Sequence, residues 1–217
     1  MADRRAWQTE AARLGNADPS APTAWFEELW SSAQQGAVTT PWDHADPHPV
    51  LADWARPAGR ADRSAVVVGC GLGADAEHLA RLGYATTAFD VSPSAVAAAR
   101  ARNAGSPVRY AVADLLDVPP AWVGAFDLVV EVYTVQAVNR SIRHKMVSGV
   151  RSLVAPGGTL LVVQAATEQA ADDGPPWPLT RAEIDLFAAD GLSAVVVEQL
   201  ADPAGRGTLW RAELHRV

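Results

Sequence analysis

The sequence predicts an α/β fold: a single domain with a seven-stranded, mostly parallel sheet, helices on both faces and an antiparallel hairpin at the carboxyl end. The first indication is the alternation of short apolar segments with helical segments from Ser64 onward, which is the pattern of parallel strands joined by right-handed crossovers. The second is the uninterrupted apolar run at residues 65–68, as in a strand covered on both faces. The third is the turn-rich link at residues 202–207, which is too short to hold a helix and therefore predicts a hairpin.

The first 60 residues are expected to form a helical lid, and residues 61–217 are expected to form the core of the same structural domain. Residues 1–22 are rich in alanine and predict a short helix. A second helix is expected from a cap at Thr23 to about Gln35, because its large apolar residues recur at helical spacing. Three prolines predict a loop at residues 39–49. A short helix is expected at residues 50–56.

The core elements follow from the same alternation. Strands are predicted near residues 65–69, 85–89, 108–112, 126–131 and 159–164, and in the final hairpin at 194–199 and 208–215. Helices are predicted near residues 74–82, 93–103, 141–154 and 180–190. We expect the Pro156-Gly157-Gly158 segment to be a plain turn that precedes the fifth strand.

Composition limits the classes of function. At 217 residues the chain suits one domain with a sizeable core, and 49% hydrophobic content indicates a globular protein. The net charge of −7 is unlike that of a nucleic-acid or anionic-membrane binder, which needs a basic face. No apolar run approaches the ~18 residues of a membrane span. The start lacks the apolar core of a secretory signal, and the lone Cys70 cannot form an internal disulfide, so we expect a cytoplasmic monomer or weak homodimer.

A glycine-rich turn follows the first predicted strand. Gly69, Gly71 and Gly73 alternate there, and Asp90 ends the next apolar run 17 residues after Gly73. Glycines let the backbone approach a ligand at the strand's carboxyl end, and a carboxylate at the second strand's end can accept both hydroxyls of a ribose. The pattern predicts a nucleoside-cofactor site, although the glycines alone also fit a dinucleotide fingerprint.

Two further predicted strands also end on acidic residues. Asp114 could accept from an adenine amino group, with the Leu115 backbone N–H beside it, and Glu131 ends the fourth strand. Three acidic strand ends suit a cofactor that carries positive charge and would repel a pyrophosphate. For Glu131, a role at the site and a plain charged strand end are both open.

The ordered set of segments resembles the class I S-adenosylmethionine-dependent methyltransferases. The resemblance covers roughly Ser64 to Gln164 and consists of VVVGCGLGADAEHLA, AFDVS, VADLLD, FDLVVE and LVAPGGTLLVV. It implies a Rossmann-like domain that binds S-adenosylmethionine and releases S-adenosylhomocysteine. It also implies residue roles: the three glycines line the methionine part of the cofactor, Asp90 with Val91 holds the ribose, and Asp114 with Leu115 meets the adenine. Asp75 either favours its own helix N-terminus or approaches the cofactor's amino group.

The segment before the core resembles the N-terminal region of the thiopurine and thiol/halide methyltransferases. In that group an aromatic residue, a tryptophan four residues later and a Pro-Trp-Asp sequence close over the cofactor; here they correspond to Phe26, Trp30 and the Pro41-Trp42-Asp43 segment. A tryptophan face would attract the sulfonium by ~0.5–2 kcal/mol. The sequence departs from the group where Val132, rather than an aromatic residue, directly follows Glu131.

The resemblance implies methyl transfer to a small-molecule nucleophile. A thiol or halide-like acceptor is favoured because it needs no strong base, and amine or oxygen acceptors stay open. Tyr133 and Asn139 are the candidate catalytic residues that orient the acceptor, and His48 or His144 is a candidate base. No spacing predicts a metal site. Three alternatives remain: cyclisation or aminocarboxypropyl chemistry with the same cofactor, a nicotinamide oxidoreductase, and a non-catalytic cofactor-binding module.

Overall fold

The computed structural model describes residues 9, 11, 13, 21–38, 42–57, 59, 63–170 and 174–217. Most of the helix expected within residues 1–22 and the Pro41 of the lid motif lie outside these ranges. Among the described residues, no helix combines the length and the apolar character that crossing a membrane requires.

Seven strands form one sheet in the order β3-β2-β1-β4-β5-β7-β6. Strands β1 to β5 are mutually parallel, and β7 runs antiparallel to both β5 and β6. The strands are β1 Ser64–Val68, β2 Ala85–Asp90, β3 Arg109–Val112, β4 Phe126–Val132, β5 Val154–Ala165, β6 Leu192–Ala201 and β7 Thr208–Arg216. The predicted sheet, with its terminal hairpin, is therefore confirmed.

Helices cover both faces of the sheet. They are α1 Trp25–Gln34, α2 Pro49–Trp54, α3 Ala74–Arg81, α4 Pro93–Arg102, α5 Arg140–Ser152 and α6 Arg181–Asp185, with single 3-10 turns at Pro120–Trp122 and Val135–Ala137. Alternate residues of β1 point to opposite faces: Ala65 and Val67 share a core with α2, α3 and α4. Val66 and Val68 share the other core with α5 and α6. This two-sided burial explains why β1 shows no polar alternation in the sequence.

Two predicted boundaries are wrong. The Pro156-Gly157-Gly158 segment lies within β5, which begins at Val154 opposite Phe126 and shifts register between Phe126 and Leu128. A bulge therefore accommodates the segment that the sequence suggested was a turn. Helix α6 ends at Asp185 instead of continuing to residue 190, because the left-handed backbone at Asp190 and Gly191 redirects the chain into β6.

Candidate functional site

A cavity of about 730 Å³ opens at the carboxyl ends of β1 to β4, which is the usual ligand position in an open α/β sheet. The segment around α1 and the β6–β7 turn form its outer walls. Eleven of the twelve residues predicted to bind cofactor lie on its wall: Phe26, Trp30, Trp42, Gly69, Gly71, Gly73, Asp75, Asp90, Val91, Asp114 and Leu115.

The turn after β1 has no room for side chains. Gly69, Gly71 and Gly73 have φ values of +58°, +51° and +90°, a left-handed region that favours glycine. A Cβ on Gly69 would lie 2.5 Å from the Thr134 hydroxyl, and a Cβ on Gly73 would lie 2.2 Å from the Tyr110 hydroxyl. The three alternating glycines are therefore required by backbone conformation and by close packing, and they leave bare backbone at the cavity.

Asp90 ends β2 at the cavity and is 7% exposed. Its carboxylate accepts the backbone N–H groups of Gly71 and Ser92, each at 3.0 Å. Burial raises the pKa of Asp90, while the N–H groups of Ser92 and Gly71 lower it. Ser92, and not Asp90, caps α4, because its hydroxyl accepts the Ala95 N–H at 3.0 Å.

Asp114 and Leu115 lie where the chain leaves β3. The Asp114 carboxylate accepts the Thr23 hydroxyl at 3.0 Å and the Leu116 N–H at 2.8 Å. Leu115 is buried against the core on the α5 side of the sheet while it also lines the cavity. The contact with Thr23 means that the start of the α1 segment rests on the end of β3.

Asp75 has a role that neither sequence expectation included. It lies in the first turn of α3, and its carboxylate accepts the His48 backbone N–H at 2.7 Å. Burial raises the pKa of Asp75, and the His48 N–H opposes that shift. The carboxylate therefore fastens the loop before α2 to the glycine turn.

Glu131 does not line the cavity, which corrects its assignment as a cofactor-binding residue. Its side chain is 0% exposed, and it accepts the Thr134 N–H at 2.7 Å, the Val135 N–H at 2.9 Å and the Gln164 amide. Burial raises its pKa to about 7 in spite of these bonds. Glu131 therefore holds the turn after β4 from beneath, because the turn folds back over it.

Asn139 also lies outside the cavity wall, which corrects its assignment as a catalytic residue. Its side chain caps α5 by accepting the Ser141 N–H at 2.9 Å, as asparagine commonly does at this position. The 3-10 turn at Val135–Ala137 carries the chain away from the end of β4 before Asn139 is reached.

Tyr133 lines the cavity at the end of β4 with a φ of +61°, a conformation that is uncommon outside glycine. Burial raises its pKa to about 12, so the phenol is protonated at neutral pH. The His48 Nε2 lies 3.1 Å from the Tyr133 hydroxyl, and the His48 Nδ1 accepts the Val50 N–H at 3.3 Å. Because that contact places the imidazole proton on Nε2, His48 donates to the phenol oxygen.

His48 therefore orients Tyr133 and is not arranged to accept a proton. Burial lowers the pKa of His48 to about 4, which keeps its imidazole neutral. The other candidate base, His144, is exposed on α5 and does not line the cavity. Within the described chain, no group of three or more His, Cys, Asp or Glu side chains could hold a metal ion.

Helix α1 is held against the core by polar contacts at its first and last turns. Glu27 accepts the hydroxyls of Ser92 and Ser94, at 2.5 and 2.6 Å. The Gln34 amide donates to the Ser94 carbonyl at 2.6 Å. The Trp30 and Trp42 rings lie 5.9 Å apart and both line the cavity. The segment thus covers the glycine turn, as the sequence led us to expect of a lid.

Several residues of the outer wall were not identified from the sequence. Asp202 and Arg206 of the β6–β7 turn line the cavity, as do Pro175, Pro176 and Pro178. The turn chemistry of residues 202–207 predicted a hairpin correctly but carried no signal of its proximity to β4, which depends on the strand order β4-β5-β7. Trp177, a candidate wall residue, is instead buried and packs over Gly174.

Residues 65–158 match the family described as a methyltransferase domain. The chain is 25% identical, over 162 residues, to a probable thiol methyltransferase of Arabidopsis thaliana, with 74% of this chain and 69% of that protein covered. It is also 35% identical, over 97 residues, to a ubiquinone biosynthesis O-methyltransferase of Xanthomonas campestris. This second match covers 44% of the chain and 40% of the relative, less than half of that protein's length.

The fold is shared with solved structures. The N-methyltransferase NodS of Bradyrhizobium japonicum, solved with S-adenosylhomocysteine, superimposes with a TM-score of 0.68 at 22% identity, covering 86% of this chain and 96% of NodS. The chain carries a class I S-adenosylmethionine-dependent methyltransferase domain. S-adenosylmethionine is its cofactor.

The wall of the methyltransferase cavity fits this cofactor. Bare backbone at the glycine turn admits close approach, since a Cβ on Gly71 would already lie 3.4 Å from the Trp30 ring. The carboxylates of Asp75, Asp90 and Asp114 line the same half of the cavity and complement a positively charged ligand. In the methyltransferase, burial without a cation raises the pKa of both Asp75 and Asp90, and a bound cation would oppose that shift.

Proposed function

We propose that the chain transfers the methyl group of S-adenosylmethionine to a small-molecule nucleophile, with a thiol as the favoured acceptor. The observation that supports the proposal most is the shape of the cavity. It continues from the glycine turn past Tyr133 to a second wall made of Pro175, Pro176 and the β6–β7 turn. A cofactor held on the strand ends would therefore point its methyl group at a chamber large enough for a second small molecule.

In this proposal each strand end meets a different part of the cofactor. The glycine turn faces the methionine part, Asp90 with Val91 holds the ribose hydroxyls, and Asp114 with Leu115 meets the adenine. Asp90 keeps lone pairs for the ribose after accepting the Gly71 and Ser92 N–H groups. Phe26, Trp30 and Trp42 cover the cofactor from the opposite side, where an aromatic face attracts the sulfonium.

The chemistry asks the protein mainly to align two reactants, because the sulfonium already activates the methyl group. Holding the acceptor in line with the methyl group can supply several kcal/mol. The Tyr133 oxygen accepts from His48, so its own hydrogen is free to donate to the acceptor. Since His48 is neutral and oriented as a donor, the site favours an acceptor that ionises without a strong base, as a thiol does.

We further propose that residues 1–60 act as a lid over a core formed by residues 61–217. The contacts of Glu27 and Thr23 hold α1 across the cavity, and closure of this kind excludes water from the reaction. A sulfur acceptor is also consistent with the probable thiol methyltransferase among the relatives. The net charge of −7 supports a partner other than nucleic acid, and we retain a cytoplasmic monomer or weak homodimer as part of the proposal.

The decisive experiment supplies S-adenosylmethionine with separate panels of thiols, halides, amines and phenols, and identifies the products by mass spectrometry. We expect S-adenosylhomocysteine and a methylated thiol in equal amounts. Methylthioadenosine as the product would instead establish cyclisation or aminocarboxypropyl chemistry. Absence of any turnover together with tight S-adenosylhomocysteine binding would favour a non-catalytic cofactor-binding module.

Tyr133→Phe tests the alignment role. Loss of the O–H donor should lower kcat about tenfold, which corresponds to ~1.4 kcal/mol of transition-state stabilisation, while affinity for S-adenosylhomocysteine stays within threefold. Tyr84→Phe is the matched control, because Tyr84 is buried beside β1 and does not line the cavity. Equal kcat values for Tyr133→Phe and the wild type would remove Tyr133 from the proposal.

A further inference from the structure

The acceptor half of the cavity contains one cationic side chain beside a hydroxyl donor. Five carboxylates line the cavity as a whole, at Asp46, Asp75, Asp90, Asp114 and Asp202. Among the described lining residues, Arg206 is the sole arginine or lysine. It belongs to the β6–β7 turn, on the opposite side of Tyr133 from the glycine turn.

The position of Arg206 is set by a well-ordered turn. The Arg206 Nε donates to the Asp202 carboxylate at 2.9 Å, and the same carboxylate accepts the Ala204 N–H at 2.8 Å. The Asp202 backbone N–H donates to the Gly207 carbonyl at 2.8 Å, which closes the turn. Although burial raises the pKa of Asp202, the Ala204 N–H and the Arg206 guanidinium lower it below its usual range, so Asp202 is ionised and holds Arg206.

This arrangement leaves the terminal nitrogens of the guanidinium facing the cavity. Asp202 is 5% exposed at its side chain, whereas Arg206 is 58% exposed, so the ion pair is anchored on the buried side and open on the other. The Arg206 guanidinium also reaches the Tyr133 hydroxyl. Tyr133 has its oxygen occupied by His48 and its hydrogen free. Two donors therefore converge on one point of the acceptor chamber.

We infer that Arg206 and Tyr133 form a recognition site for a carboxylate on the acceptor molecule. A guanidinium presents parallel N–H groups that match the two oxygens of a carboxylate, and the Tyr133 O–H supplies a further donor. The apolar body of such an acceptor would lie against Pro175, Pro176 and Pro178. The inference rests on the proposed function, since it assumes that this chamber holds the acceptor, and it narrows the acceptor to a carboxylate-bearing nucleophile.

The test compares two thiols that differ in the group to be recognised, 3-mercaptopropionate and 3-mercapto-1-propanol, at low ionic strength. For the wild type we expect kcat/KM to be at least tenfold higher with the carboxylate. Arg206→Gln should reduce that ratio to near one, and Arg206→Lys should retain part of it. Arg181→Gln is the matched control, because Arg181 is 56% exposed and pairs with Asp185 at 2.9 Å in the same i,i+4 arrangement, outside the cavity.

A second readout does not depend on turnover. Calorimetric titration of the S-adenosylhomocysteine-loaded protein should show benzoate binding that benzyl alcohol does not match, and Arg206→Gln should abolish the difference. Equal binding of the two probes to the wild type, or a preference unchanged in Arg206→Gln, would overturn the inference and leave the proposed function intact. Arg206-dependent benzoate binding without methylation of any thiol would sustain the carboxylate site and refute the thiol acceptor. Failure to bind S-adenosylhomocysteine would overturn both.

Discussion

The carboxyl ends of β2 and β4 look alike in the sequence and differ in the structure. Each strand is apolar and ends at a buried carboxylate, Asp90 in β2 and Glu131 in β4. Asp90 accepts N–H groups from the glycine turn and from the start of α4, and it stays at the cavity wall. Glu131 accepts N–H groups from the turn that directly follows it, and that turn separates it from the cavity.

The difference shows that the residue at a strand end does not by itself determine whether it meets a ligand. After Asp90 the chain moves away into α4, so the carboxylate is left facing the cavity. After Glu131 the chain folds back over the carboxylate, and Tyr133 takes the exposed position with a left-handed backbone. Buried carboxylates need hydrogen-bond donors in either case, and the source of those donors separates a candidate ligand contact from a structural support.

The largest expected effect comes from removing the carboxylate of β2. Asp90→Ala should weaken S-adenosylhomocysteine binding about 100-fold, or ~2.7 kcal/mol, because it removes the proposed ribose contact and the partner of the Gly71 N–H. Glu131→Gln, the matched change in β4, should alter affinity by less than threefold. Isothermal titration of both variants, with melting temperatures to verify folding, measures the contrast. Similar losses in the two variants would show that the two strand ends are equivalent.

A smaller effect is expected when the bare backbone at the end of β1 is covered. Gly71→Ala would place a Cβ 3.4 Å from the Trp30 ring, inside the space proposed for the cofactor, and should lower S-adenosylhomocysteine affinity about tenfold, or ~1.4 kcal/mol. Gly105→Ala is the control, because it has a similar left-handed backbone with nothing within 4 Å of the added Cβ. Both variants should lose ~1–2 kcal/mol of stability to backbone strain. Unchanged affinity in Gly71→Ala would argue against close approach of the cofactor here.

The smallest expected effect is a pH dependence of stability that arises from Glu131. Burial raises the pKa of Glu131 from 4.5 to about 7, so between these values the folded state binds the proton more tightly than the unfolded state does. The free energy of unfolding should therefore decrease as pH rises through this window, by an amount on the order of 1 kcal/mol. The difference in unfolding free energy between wild type and Glu131→Gln, measured by urea denaturation from pH 5 to 7, isolates this contribution. A difference that is constant with pH would contradict it.

The core of the fold was accessible from the sequence because its signals are local. The apolar run of β1, the glycines after it and the hairpin link at residues 202–207 each constrain the backbone within a few residues. The errors occurred where tertiary contacts override local chemistry. The Pro156-Gly157-Gly158 segment is a turn by composition, yet pairing with β4 keeps it within a strand. Asn139 was assigned a catalytic role from its nearness to β4 in sequence, whereas its side chain serves as a helix cap.

The sequence by itself determined the sheet, the glycine turn, the placement of Asp90 and Asp114 at strand ends, and the tryptophans of the segment before the core. These features follow from hydrophobic period and from the backbone freedom of glycine, which are properties of neighbouring residues. Only the tertiary structure decided that Glu131 is internal, that His48 orients Tyr133, and that Arg206 lies at the acceptor chamber. These pairs are 85 and 73 residues apart in the case of His48–Tyr133 and Tyr133–Arg206, and only the pairing of distant strands brings such side chains together.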